Sequence, residues 1–227
     1  MKRPGISGCQ IWWDHERRVL GVVKWALDLL RTEDDLDLDE NKLNRRLLRC
    51  IRTANFQLNK RGEGIGYPVI YEANNQPDAD DEQRAKRESK RPDFQWGLTD
   101  QSEEDPLRQD KYFVIECKRL GEPVRKFWVF NKNYVEEGIL RFVCAKHGYG
   151  KSAPSGAMVG YIRSMLSADI LSEVNGHATT AGLPLVILST DGWVGKGVSR
   201  LEQKLDRSKV PPTPFSLRHL WVDLRQK

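Results

Sequence analysis

Two acidic residues and one lysine stand in two short segments rich in aromatic and β-branched residues. Asp93 lies in RPDFQWGL at 91–98, and Glu116 and Lys118 lie in YFVIECKRL at 112–120. Side chains alternate between the faces of a strand, so Glu116 and Lys118 share one face. The opposite face then carries Phe113, Ile115 and Cys117. That apolar face can enter the core, which leaves a carboxylate and an ammonium where Asp93 of a paired strand can join them.

A cluster of two carboxylates and a lysine suits phosphodiester hydrolysis. Carboxylate oxygens can hold a divalent cation that polarises the phosphate and neutralises developing charge. A lysine beside them can orient the attacking water or help to deprotonate it. The alternative interpretation of Asp93, Glu116 and Lys118 is a cross-strand salt bridge without a catalytic role.

A further acid, Glu40, stands at the start of a helix predicted over about 39–55. The apolar stripe of this helix is formed by Leu43, Leu47 and Ile51. Glu40 projects from the same face, whereas Asp39 lies about 100° round the helix and is expected to face solvent or to cap it. Two roles are open for Glu40: support of the metal or its water, or a structural pair with a neighbouring arginine or with Lys118.

The chain carries a surplus of positive charge. Its formal net charge is +5 and its pI is near 9.0, which favours polyanionic partners through phosphate contacts and counterion release. The residues expected to contact nucleic acid are Arg141, Arg45, Arg49 and Lys151. Arg45 and Arg49 lie opposite the apolar stripe of the predicted helix, where the alternative is a solvated face without a ligand.

The segments around these residues predict an α/β fold. With 227 residues and 39% hydrophobic content, the chain can bury one core, so we predict a single domain over 1–227 with a central mixed sheet flanked by helices. The predicted helices cover 14–31 (capped by Asp14), 39–55, 134–144 and 156–174. The predicted strands cover 67–72, 91–98, 111–118, 183–190 and 215–224. We expect the run LPLVILST at 183–190 to be covered on both faces and 74–90 to be an exposed loop or mobile insertion.

Several other functions lack their sequence motifs. The four cysteines form no CxxC pair and no zinc-site spacing, and the four histidines form no HNH, HxH or HExxH arrangement. GYGKS at 148–152 has Ala145 where a P-loop needs its first glycine. No window approaches the roughly 18 apolar residues of a membrane span, and no leader pattern opens the chain. We therefore expect a cytoplasmic protein with no membrane partner.

With Pro92-Asp93 before one strand and Glu116-Cys117-Lys118 on the next, the chain resembles the PD-(D/E)xK nuclease superfamily, whose fold is restriction-endonuclease-like. The resemblance covers roughly 39–190 and leaves 14–31 and 191–227 as additions to the shared core. It is carried by a short motif together with the order of helices and strands around it.

This resemblance implies a ligand set and a role for each matching residue. It implies that Asp93 and Glu116 bind Mg²⁺, for which Mn²⁺ can substitute, and that the main-chain carbonyl of Cys117 is the third ligand. By the same resemblance Lys118 positions the attacking water. Glu40 is similar to the further acid that many members carry on the first helix.

The resemblance also implies an Mg²⁺-dependent endonuclease, and we expect its nucleic-acid substrate to be DNA in preference to RNA. YVEEGILRF at 134–142 and GAMVGY at 156–161 resemble accessory segments of bacterial anti-phage nucleases, so we expect the effector subunit of an anti-phage or restriction system. Its partner is either a protein subunit that directs it or a second copy of the chain. The alternative from another class is a catalytically silent nucleic-acid-binding or scaffold subunit of a larger complex.

Overall fold

The structure is a computed structural model of the chain and describes residues 8–37, 39–75, 84–125, 128–151 and 153–225. The helices are α1 (Gly8–Thr32), α2 (Glu40–Asn59), α3 (Arg84–Glu88), α4 (Phe130–Tyr134), a π-helical segment (Val135–Ile139), α5 (Leu140–Val143) and α6 (Ser167–Thr180). The strands are β1 (Ile70–Tyr71), β2 (Phe94–Thr99), β3 (Asp110–Leu120), β4 (Ser155–Ile162), β5 (Ile187–Leu188), β6 (Val198–Leu205) and β7 (Phe215–Asp223).

Seven strands of the described chain form one mixed sheet in the order β1-β2-β3-β4-β7-β6-β5. The central strands β3, β4 and β7 are parallel to one another. The outer pairs on both sides are antiparallel. Helices cover both faces, so the predicted α/β architecture with a mixed sheet flanked by helices is confirmed.

Strand β3 divides its side chains between two helical layers. The core beneath α1 and α2 takes in Phe113, Ile115 and Cys117. The core on the other face, beneath α6 and the helical segment 130–143, takes in Val114 and Leu120. The predicted alternation along this strand is therefore confirmed, and it leaves Glu116 and Lys118 on the face opposite the first core.

Strand β4 shows that the helix predicted over 156–174 is wrong in its first half. All eight residues of β4 are buried, because strands flank it on both sides and helices cover both faces. Such a strand is apolar throughout and lacks the period-2 signal. Gly160 lies so close to its neighbours that a Cβ there would meet Leu120 Cδ1 at 2.4 Å and Trp221 Cδ1 at 2.7 Å. The helix itself begins only at Ser167.

The segment 183–190 does not form the doubly covered strand that its apolar run predicts. Only Ile187 and Leu188 pair with β6, at the edge of the sheet. The side chain of Ile187 is 61% exposed, and that of Leu185 is 52% exposed. The apolar run therefore marks an edge strand. The strand that is covered on both faces is β4.

The predicted cap at Asp14 and the predicted exposed loop over 74–90 are also wrong in the part of the chain that the structure describes. Asp14 does not cap α1, because that helix already begins at Gly8, and Asp14 instead accepts a hydrogen bond from Arg17 at 3.0 Å. In the segment 74–90, residues 76–83 lie outside the described part. The remainder is not simply an exposed loop, since Asn75 and Arg87 are buried. They donate to main-chain carbonyls of His147 and Ala145 at 2.9 and 2.8 Å.

The longest described helix, α1, has 25 residues. None of the described helices is both long and apolar enough to cross a membrane.

The C-terminal region is part of the sheet and not an addition at its margin. Strand β7 pairs with β4 on one side and with β6 on the other. Its range, Phe215–Asp223, confirms the strand predicted over 215–224. Between β6 and β7, the buried Arg207 lies 3.5 Å from the ring centroid of Phe215. Its guanidinium donates to the carbonyls of Phe142, Tyr149, Gly150, Ala153 and Pro212. The loop between α5 and β4 is thus fastened to the C-terminal strands.

Candidate active site

The candidate site lies where β2 separates from β3. Strand β2 begins at Phe94, opposite Ile115, whereas β3 continues to Leu120. Main-chain groups of β3 beyond this point therefore bond with side chains. Cys117 N–H donates to Asp93 Oδ2 at 2.6 Å, and Arg119 N–H donates to Glu40 Oε2 at 3.3 Å.

Asp93 is held from two sides immediately before β2. Its Oδ2 accepts the Cys117 amide, and its Oδ1 accepts Asn44 Nδ2 at 2.9 Å. Burial raises the pKa of Asp93 well above its ordinary value, and the negative charge of Glu116 raises it further. Two carboxylates thus lie close enough to disfavour each other's charge, an arrangement that a cation would relieve.

Asn44 is a site residue that the sequence analysis missed. It lies on α2, is 1% exposed, and accepts Tyr161 Oη–H at 2.8 Å while it donates to Asp93. Its amide therefore links Tyr161, near the carboxyl end of β4, to the carboxylate before β2. The sequence does contain a signal for it: Asn44 is four residues after Glu40, one helical turn further along the face that points to the sheet.

Glu116 lies at the centre of an ion network. It is 1% exposed, and its Oε1 accepts Lys118 Nζ at 2.8 Å and Arg141 Nη1 at 2.6 Å. Its Oε2 is buried and has no hydrogen-bond partner among the described residues. A buried carboxylate oxygen without a partner is costly, so this atom is available to a ligand.

Lys118 reaches three oxygens from one ammonium group. Nζ donates to Glu116 Oε1 at 2.8 Å, to Glu40 Oε1 at 3.0 Å and to the Cys117 carbonyl at 2.8 Å. Burial alone would lower the pKa of Lys118, but the charges of Glu116 and Glu40 outweigh it and raise that pKa above its ordinary value. In this arrangement Lys118 is a cation that can orient a water or oppose negative charge.

Glu40 and Asp39 occupy the start of α2 in different roles. Asp39 is the N-cap and accepts from the amides of Asn41 and Lys42, as predicted. Glu40 bridges the side chain of Lys118 and the main chain of Arg119. The structural pair between Glu40 and Lys118 that the sequence allows is therefore present, and the same contact fixes the ammonium of Lys118.

Arg141 follows a π-helical segment that packs against the site. The segment Val135–Ile139 contains Gly138, where a Cβ would lie 2.5 Å from Met158 Cε and 3.4 Å from Lys118 Cγ. Single π turns inside α-helices occur frequently at functional sites. The extra residue in this turn changes the direction of the following side chains. Arg141 points to Glu116 and is only partly exposed.

The other basic residues expected to bind nucleic acid lie outside this ion network. Arg45 and Arg49 are exposed on α2, opposite its buried stripe. Lys151 is half-buried in the loop before β4. The structure therefore brings Asp93, Glu116, Lys118, Glu40 and Arg141 together and leaves these three apart.

The oxygen atoms of the site fit a small divalent cation. Within the described ranges, no three His, Cys, Asp or Glu side chains are grouped so as to hold a metal. The candidate set instead consists of two side chains, Asp93 and Glu116, and the main-chain carbonyl of Cys117. All three supply the hard oxygen ligands that Mg²⁺ prefers, and water commonly completes its shell. The unpaired Glu116 Oε2 supports this fit.

The arrangement as a whole can bind a cation through carboxylates and hold a water or an anionic group beside an ammonium. Three acids and two buried or partly buried bases share one small volume, and Asn44 and Glu40 fix their positions. The chain was compared with protein-family models, curated proteins and solved structures, and none of the three comparisons returned a match.

Proposed function

We propose that the chain is an Mg²⁺-dependent endonuclease that hydrolyses phosphodiester bonds in DNA and has the restriction-endonuclease-like fold. The observation that carries the proposal is the fork between β2 and β3. There Asp93 bonds to the amide of Cys117 while Glu116 and Lys118 meet on the adjacent face. This combination brings two carboxylates, one carbonyl and one ammonium together, a donor set that suits metal-assisted phosphodiester hydrolysis.

In this proposal Asp93, Glu116 and the Cys117 carbonyl hold Mg²⁺, or Mn²⁺ in its place. The bound cation supplies Lewis-acid polarisation of the phosphate and lowers the pKa of a water. Asn44 and the Cys117 amide fix the Asp93 carboxylate by one hydrogen bond to each of its oxygens. Buried oxygens held in this way need little rearrangement during the reaction.

The remaining residues act on the water and on the phosphate. All three N–H groups of Lys118 are occupied, so in the proposed reaction the one that bonds to the Cys117 carbonyl turns to orient the attacking water. The charge of Lys118 also opposes the charge that develops on the phosphate. Glu40 keeps the ammonium in place through its 3.0 Å contact. Arg141 shares Glu116 with Lys118 and lies close enough to the site to contact the phosphate when the substrate binds.

We place this activity in the effector subunit of a bacterial anti-phage or restriction system in the cytoplasm. The net charge of +5 supports a nucleic-acid partner. A directing protein subunit or a second copy of the chain would supply target selection. The silent scaffold is the rival proposal, in which Glu116, Lys118 and Arg141 form only a structural ion network.

The proposal is tested by incubating the purified chain with supercoiled plasmid DNA and Mg²⁺ or Mn²⁺. We expect nicked and linear products with either cation and none in EDTA. Glu116→Gln, purified in parallel, controls for a contaminating nuclease. Intact plasmid at every cation concentration, with the chain folded, would favour the scaffold.

Glu40→Gln is expected to lower the cleavage rate at least about tenfold, or roughly 1.4 kcal/mol in barrier terms. The neutral amide keeps the shape of Glu40 but weakens its hold on Lys118, so the ammonium leaves its productive position. Asp39→Asn is the matched control one residue earlier, since asparagine also caps helices well. Rates measured at saturating Mg²⁺ should separate the two variants, and equal rates would remove Glu40 from the site.

Asn44→Ala is expected to weaken Mn²⁺ binding by about 10–100-fold, the usual effect of losing a residue that orients a metal ligand. Mn²⁺ affinity can be measured by electron paramagnetic resonance without any substrate. Asn55→Ala is the control on the same helix. Asn55 makes two hydrogen bonds to Ile65, so this variant loses stability but should keep its Mn²⁺ affinity. An unchanged affinity in Asn44→Ala would contradict the orienting role.

A further inference from the structure

Two arginines meet at the carboxyl ends of the parallel strands β3 and β4. Arg119 is the penultimate residue of β3, and Arg163 directly follows β4. The Arg163 amide donates to the Leu120 carbonyl at 3.0 Å, which fixes the two strand ends side by side. The carboxyl ends of strands in open α/β sheets are where ligands usually bind.

Both guanidinium groups pack on one aromatic ring. The Cζ atoms of Arg119 and Arg163 lie 4.7 and 5.5 Å from the ring centroid of Phe130. Stacking of this kind holds a guanidinium in place while its edges remain open to hydrogen-bond acceptors. The Nε atoms of both arginines are buried and have no hydrogen-bond partner within the described part of the chain.

The positive charge of this pair is only partly balanced. Arg119 Nε lies 3.8 Å from Glu40 Oε2, whereas Arg163 forms no ion pair with any residue that the structure describes. The charges of Asp37 and, more weakly, Asp39 attract Arg163, but the carboxylate of Asp37 is hydrogen-bonded to Lys42 at 2.5 Å. Burial lowers the pKa of Arg163, and the neighbouring Arg119 lowers it further. An anion between the two guanidiniums would relieve this repulsion.

We propose that Arg119 and Arg163, stacked on Phe130, form a second phosphate-binding site that takes a backbone phosphate of the nucleic-acid substrate. The inference rests on the proposed nuclease function and adds to it a direction for the bound strand. Arg119 follows Lys118 along β3, and Glu40 contacts both residues through its two oxygens. The bound nucleic-acid strand would therefore run from the cleavage site past the carboxyl ends of β3 and β4. Guanidinium groups suit this role because their planar donors match phosphate oxygens.

The test is the salt dependence of oligonucleotide binding, measured by fluorescence anisotropy in EDTA so that no cleavage occurs. Arg163→Gln and Arg119→Gln with Arg163→Gln are compared with the wild type. We expect the affinity to fall at least about fivefold in the double variant. The slope of log K against log salt should become shallower by about 0.7–0.9, the value for one lost phosphate contact. Arg163→Lys should recover most of the slope because it keeps the charge.

Arg200→Gln is the matched control. Arg200 is an exposed arginine on β6 that pairs with Asp191 far from β3 in the sheet order, so its removal should leave the slope unchanged. A folded Arg163→Gln variant with the wild-type slope would overturn the inference, as would an equal effect of Arg200→Gln. If the variants lose affinity for inorganic phosphate but not for the oligonucleotide, the ligand is a free phosphate and the inference is wrong.

The outcome is separable from that of the proposed function. Oligonucleotide binding that depends on Arg119 and Arg163, without plasmid cleavage in Mg²⁺, would support this phosphate site and reject the nuclease. Cleavage that persists while both variants bind as the wild type does would support the nuclease and reject the site. A wild-type chain that binds no oligonucleotide would reject the site outright.

Discussion

Lys118→Ala should reduce Mg²⁺-dependent cleavage by about 10²–10⁴-fold, the range for loss of a positioned proton donor or acceptor. The ammonium of Lys118 contacts Glu116, Glu40 and the Cys117 carbonyl at once, and alanine at this position makes none of these contacts. DNA binding in EDTA should change much less, because the affinity is shared among many phosphate contacts. Initial rates on a plasmid and a gel-shift assay measure the two effects.

The Lys118→Ala variant should also be less stable, whereas the sequence alone predicts that its folding is largely unaffected. Removing one partner of a buried ion pair costs about 3–5 kcal/mol, and the loss should lie near the lower limit because Arg141 still pairs with Glu116.

Lys111→Ala is the matched control for Lys118→Ala. Lys111 is a partly buried lysine on the same strand that pairs with buried Asp100 at 2.6 Å. It stands seven residues away, roughly 23 Å along β3. The Lys111→Ala variant should be less stable than the wild type but should retain cleavage activity below its melting temperature. Equal cleavage by the two variants would rule out the role assigned to Lys118.

Asp93→Asn should weaken Mn²⁺ binding by at least about a hundredfold, beyond the 10–100-fold effect of losing an orienting neighbour. The substitution removes the charge of a proposed ligand. It also places an amide NH₂ where both oxygens of Asp93 accept from donors, Asn44 Nδ2 and the Cys117 amide. One of these two donors must then lose its acceptor. Calorimetric titration with Mn²⁺, in the absence of nucleic acid, gives the dissociation constant directly.

Asp100→Asn provides the comparison for this measurement. Asp100 is buried and accepts from the amide and hydroxyl of Ser102 and from Lys111, but it lies at the far end of the β2–β3 hairpin. Its variant should bind Mn²⁺ as the wild type does. If Asp93→Asn also kept the wild-type affinity, the proposed metal site would be in the wrong place.

Local patterns in the sequence are sufficient to predict the hairpin that carries the site. The alternation along 112–120 determines which side chains share a face, and it depends only on neighbours in sequence. The helix cap at Asp39 is similarly local. Such short-range patterns are why the positions of Glu116, Lys118 and Glu40 can be predicted from the amino-acid sequence.

The features that the sequence does not reveal depend on contacts between distant segments. Strand β4 has helix-like spacing of Met158 and Ile162, and only its burial between β3 and β7 determines that it is extended. The contact from Asn44 to Asp93 spans 49 residues. The sequence predicts that Arg141 faces DNA. Its ion pair with Glu116 follows from the π-helical segment before it, which has no simple periodicity to detect.

Because Arg207 binds five main-chain carbonyls, part of the fold can form only after this residue has been synthesised. Asp93, Glu116 and Lys118 leave the ribosome well before Arg207, yet four of these carbonyls belong to the end of α5 and the loop that follows it. Strand β4 likewise lacks one neighbour until β7 has emerged. A nascent chain that stops short of residue 207 therefore carries every proposed metal ligand but lacks the guanidinium that fastens the segment after Arg141. The segment after Arg141 is therefore fastened only when the residues from Arg207 to the end of β7 have been made.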